Sequence, residues 1–151
     1  MHPQIETWQI NNRINEFLLN GIKEEHLADQ ANSKGRLVGE QFAHIHNVRL
    51  MWIKVALPSM LSSQTKIEKE NISKALLKTE WAKSCDAISQ LLEAGIASGK
   101  IKGFKPHPEA FLGYLIAHEA HHRGQVIQIL KENGHLPDKK ILYGLWEWGN
   151  K

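Results

Sequence analysis

The chain has a single cysteine, Cys85, only five prolines, and 7% aromatic residues. One thiol cannot close an internal disulfide, so the fold has to be held by packing alone. Long apolar runs are missing too. The stretch 111–117, interrupted by Gly113, falls far short of the ~20 residues that cross a bilayer. The opening MHPQIETWQI carries neither the basic start nor the apolar segment of a secretory leader. These absences point to a reducing cytoplasm and to no membrane partner. Nor is charge of one sign concentrated anywhere. Lys and Arg number 19 against 16 Asp and Glu, a net +3 too small and too dispersed for a nucleic-acid or anionic-lipid footprint. With 42% hydrophobic and 23% charged residues the composition is that of an ordinary packed protein. Its 151 residues suit one domain spanning 1–151.

Apolar residues recur at three- and four-residue steps in four segments, which predicts helices over about 3–21, 36–57, 69–98 and 107–133. The polar run 23–35 reads as a connection with one helical turn, and Gly21, Pro58, Gly99 and Gly134 serve as punctuation. The last segment, HLPDKKILYGLWEWGNK, is too hydrophobic at Leu142, Tyr143, Leu145, Trp146 and Trp148 to be a free end and should pack back on the body. No alternation long enough for a sheet appears, and there is no internal repeat. The expected architecture is all-α, a four-helix bundle, a fold that builds metal and ligand sites from side chains on facing helices.

Histidine is the unusual entry, with nine copies that cluster at 44 and 46 and again at 118, 121 and 122. His118 and His122 lie four apart on the last long helix, so their imidazoles leave one face a turn apart and can grip a single ion. A third ligand is needed. On the second helix His44 shares a face with Val48, Met51 and Val55 and should point inward, whereas His46 lies about 200° further round. His44 is therefore the candidate third ligand. Three imidazoles leave positions for water or substrate, an arrangement expected of a catalytic site and suited to Zn²⁺ or Ni²⁺. His121 cannot face the same ion as His122, because successive helical residues diverge by about 100°. His2, His26, His107 and His135 read as surface or loop residues, and Cys85 as a small buried side chain.

The string Ala117-His118-Glu119-Ala120-His121-His122-Arg123-Gly124-Gln125 resembles the H-x-x-x-H-R-G-Q segment of the DinB/YfiT-like superfamily. Phe42-Ala43-His44-Ile45, followed by Val48-Arg49 and Trp52, resembles that family's first metal-binding helix. The resemblance covers nearly the whole chain. It implies an up-down-down-up bundle, a divalent metal on His44, His118 and His122, and a homodimer. Known activities in the family include thiol-dependent S-transferases, an isomerase and hydrolase-like enzymes. The resemblance thus implies a small-molecule substrate, and a low-molecular-weight thiol as an optional cofactor, without selecting one reaction.

Residues 118–122 also satisfy H-E-x-x-H, the helix motif of zinc peptidases, in which Glu119 would be the general base. The extended motif needs a Gly and a His where this chain has Gln125 and Gln128, leaving Glu132 or Glu147 as downstream ligands. Arg123 and Gln125, like Asn47 and Arg49, read as structural residues first. Gly124 suggests close approach of another helix or chain. The Trp residues and Tyr143 suit a core or an interface. Two functional classes follow: a metal-dependent enzyme that activates water or a thiol, and a non-catalytic metal- or ligand-binding module.

Overall fold

The computed structural model describes residues 1–151 and contains four long helices: α1 (Pro3–Asn20), α2 (Val38–Ala56), α3 (Lys74–Ser98) and α4 (Pro108–Glu132). A short α5 (Lys139–Gly144) follows, and 3₁₀ turns fill the connections. Most bounds lie within two residues of the sequence reading. The exception is α3, which begins at Lys74 because Ser73 is its N-cap, the Ser73 hydroxyl accepting from the Leu76 N–H at 3.1 Å. Residues Lys69–Asn71 form a separate 3₁₀ turn. Two of the histidines read as surface residues also cap helices. His2 precedes Pro3 and accepts from the Gln4 N–H, and His107 precedes Pro108 and accepts from the Ala110 N–H, each through Nδ1 at 3.2 Å.

Helix directions follow from which residues meet. Trp81 pairs with Phe42 and Ser84 with His46, so α2 and α3 run parallel. Gln4 meets Glu109 and Asn15 meets Glu119, so α1 and α4 run parallel. Gln41 meets His122 while Arg49 meets Glu119, so α2 opposes α4. The bundle is up-down-down-up, with α1 and α2 each packed on both α3 and α4.

The interior is divided in three. One apolar cluster contains Leu18, Phe42, Ile45, Trp81 and Val126; a second contains Trp8, Ile53, Ile88, Leu91 and Phe111. Between them lies a polar layer, with Asn11, Asn12 and Asn15 from α1, Arg49 from α2, Ser84 from α3, and Glu119 and Arg123 from α4, all buried. Arg49 and Glu119 form its centre, joined by hydrogen bonds of 2.7 and 3.0 Å. Asn11 and Asn15 donate to Glu119 at 2.7 and 2.8 Å, and the Arg49 guanidinium lies 4.7 Å over the Trp8 ring. A buried charge pair is tolerated only when its remaining donors and acceptors are satisfied, and the asparagines, Ser84 and the Trp81 carbonyl do that here.

The C-terminal segment packs back as expected, but only in part. Ile141 and Leu145 join the first apolar cluster, and Gly144 lies against the Phe17 ring. Tyr143 and Trp146 stay exposed, at 67% and 81%. No helix is long and apolar enough to cross a membrane.

Candidate metal centre

His118 and His122 project from one face of α4 toward His44 on α2, because the antiparallel contact of these helices brings residue 41 opposite residue 122. One ring nitrogen from each of the three histidines lies within 4.8 Å of the other two. The Nε2 atoms of His118 and His122 are 3.1 Å apart, and the His44 ring sits 4.5 Å from His122 and 5.4 Å from His118, centroid to centroid. His122 is buried; the other two are half-buried.

His44 takes part for a reason opposite to the one its sequence neighbours suggest. The face it shares with Val48, Met51 and Val55 is the border of the core and not its centre: Val48 is buried, but Met51 and Val55 are 65% and 43% exposed. The inward face of α2 carries Val38, Phe42, Ile45, Arg49 and Ile53, and with them His46, which is fully buried. His46 is satisfied by ordinary partners. Its Nε2–H donates to the Thr65 carbonyl at 2.7 Å, which leaves Nδ1 to accept from the Ser84 hydroxyl at 3.0 Å. Burial pushes its pKa down to about 4. The bundle thus sorts the two neighbours into a core residue and a site residue.

The donor set fits a divalent ion. The Gln41 carbonyl oxygen accepts from His122 Nδ1–H at 2.6 Å, which fixes the tautomer with Nε2 bare. That bare nitrogen meets only the Nε2 of His118, and His118 Nδ1 is buried with no partner. No carboxylate or carbonyl contacts either Nε2. A 3.1 Å separation is close to the edge of a tetrahedron of nitrogens ~2.0–2.1 Å from a central ion. Metal ligands must also be unprotonated. Burial, then repulsion from His118 and His44, pushes His122 down to about 4. His44 and His118 are lowered too, mainly by burial, with Arg36 adding to the effect. Gln41 was invisible to the sequence reading, since a lone Gln one turn before a His has no distinguishing pattern.

Glu119 turns away from the histidines and is fully committed. Arg49 and the two asparagines hold its carboxylate, and despite deep burial these partners keep its pKa below the ordinary value. The literal H-E-x-x-H string therefore lacks the base that peptidase chemistry needs. Arg49 is held by Glu119 and Asn12, Arg123 is held by Asn11 and Asn15, and Asn47 closes the 57–73 connection by pairing its side chain with the Ile67 N–H and carbonyl at 3.0 Å each. No helix of the chain approaches Gly124, where a Cβ would meet nothing within 4 Å. Cys85 is half-buried among apolar neighbours, and burial raises its thiol to about 11.

A cavity of about 300 Å³ opens beside His44, lined by Arg36, Lys66 and Lys69 together with Glu40, Glu68 and Glu70. The family model for the DinB family matches residues 4–147, nearly the whole chain. No curated protein matches the chain.

Proposed function

The chain belongs to the DinB family, and from that premise we propose that it is a metal-dependent enzyme holding Zn²⁺ or Ni²⁺ on His44, His118 and His122. Its reaction in this reading is hydrolysis, or transfer of a low-molecular-weight thiol, on a small molecule. Bound there, the ion would acidify a water or thiol ligand and so supply a nucleophile near neutral pH. The observation that carries the reading is the 3.1 Å approach of the His118 and His122 Nε2 atoms, with a third imidazole beside them and no carboxylate or carbonyl on either nitrogen.

The chain's own residues support a catalytic role over a purely structural one. Gln41 orients His122 from behind, and the half-buried His44 and His118 leave the front of the cluster open. The cavity beside His44 has room for a small molecule, and its charges of both signs suit a polar one. With Glu119 committed to Arg49, peptidase chemistry is not part of this reading.

Metal analysis of the purified chain, followed by turnover assays of zinc- and nickel-loaded protein on thiol-plus-electrophile pairs, esters and simple amides, tests it. We expect one divalent ion per chain and a turnover that the His118→Ala variant lacks. A chain that takes up no divalent ion sinks the proposal at its base. Stoichiometric metal with no His118-dependent turnover would assign the bundle to the binding modules instead.

A further inference from the structure

The polar layer holds two arginines and one carboxylate. Glu119 is the only carboxylate touching either guanidinium, and it is bound twice by Arg49. Arg123, 8% exposed, has only neutral partners. Its Nη1 donates to Asn11 Oδ1 at 3.0 Å and to Asn15 Oδ1 at 2.6 Å, and its Nε and Nη2 have no acceptor in the protein. A guanidinium offers five N–H donors and stays charged in proteins. Glu119 attracts Arg123 as well, but its single negative charge is shared between two guanidiniums and hydrogen-bonds only Arg49. The layer therefore keeps a surplus positive charge on Arg123 that an anion would offset.

Arg123 also lines a groove of about 380 Å³, walled by Ile116 and Ile127 of α4 and by Leu142, Leu145 and Trp148 of the C-terminal segment. That volume is within the range of small-molecule sites, ~300–1,000 Å³. The C-terminal segment roofs the groove instead of filling it, and the α4 backbone at Gly124 is open to it.

We propose that this groove binds a small amphipathic carboxylate, its head on Arg123 and a short acyl or aromatic body between the isoleucines of α4 and Leu142, Leu145 and Trp148. Charge selects the occupant. A planar carboxylate takes two parallel N–H bonds from a guanidinium. A neutral apolar molecule would leave the cation unpaired, and a fully polar anion would leave the walls uncovered. The site is independent of the three-histidine cluster, which occupies a different face of α4.

Calorimetric titration of the full chain with octanoate, and in parallel with 1-octanol, tests the assignment. The expected result is one octanoate per chain, bound at least tenfold more tightly than octanol. Gly124→Leu, which places a side chain in open space, should abolish octanoate binding while leaving metal content intact and without lowering the unfolding temperature. His118→Ala should bind octanoate like the parent. Equal binding of octanoate and octanol overturns the role of Arg123. Absence of saturable octanoate binding overturns the site, and a dimer that Gly124→Leu dissociates would assign the groove to a second copy of the chain.

Discussion

His46 couples the fold to pH. It is buried in its neutral form with a pKa of about 4, while in the unfolded chain it titrates near 6.5. The unfolded state therefore binds the proton first as pH falls. The stability His46 contributes is complete above pH 6.5 and is lost as pH drops from there toward 4, by up to roughly 3 kcal/mol. Urea unfolding between pH 7.5 and 4.5 should show this decline, and His46→Gln should flatten it. The same comparison separates core from site. Alanine at His44, His118 or His122 should strip the metal with little change in the unfolding midpoint of the metal-free protein. His46→Ala should keep the metal and lose stability. Gln41→Leu, which removes the acceptor behind His122, should weaken metal binding by roughly 10- to 100-fold, read by competition with a chromophoric chelator. Of these residues the His118 and His122 pair was legible, because helical spacing alone puts them together. His44 does lie beside that pair, but not for the reason its sequence neighbours suggest, since its face is the border of the core and not its centre. Periodicity ranks faces by apolar content, and the buried face of α2 contains a histidine and an arginine.

At the scale of the element, α4 carries three jobs on three faces. His118 and His122 face the site, Glu119 and Arg123 enter the polar layer, and Ile116, Gly124 and Ile127 border the groove. Gly124 costs the helix about 1 kcal/mol relative to alanine and is not needed for packing within the chain. Gly124→Ala should therefore raise stability by about that amount, measurable by thermal unfolding. The helices themselves were legible because their starts and stops are local chemistry: Pro3, Ser73, Pro108 and the left-handed Gly99 at φ 75°. The polar turn before α3 was absorbed into the helix in the sequence reading, since periodicity does not register a cap.

For the whole molecule, the decisive feature is the polar layer that ties all four long helices between two apolar clusters. Glu119→Gln leaves Arg49 and Arg123 buried without a counter-charge and should cost about 3–5 kcal/mol in chemical unfolding. Its metal content should be unchanged, because Glu119 contacts no site histidine. If Glu119 instead served the metal as a peptidase base, the same variant would fold normally and lose turnover alone.

Fold class, helix order and the paired histidines are properties of spacing along one chain, and spacing is written in the residues. What belongs to Asn11, Asn15, Gln41, Arg49, Arg123 and His46 is set by which helix each one faces across the bundle. Partners more than thirty positions away in the chain, such as Ser84 for His46 or Glu119 for Arg49, leave no local trace. Only the packed helices decide whether a buried polar side chain is a ligand, a strut or a charge awaiting its counter-ion.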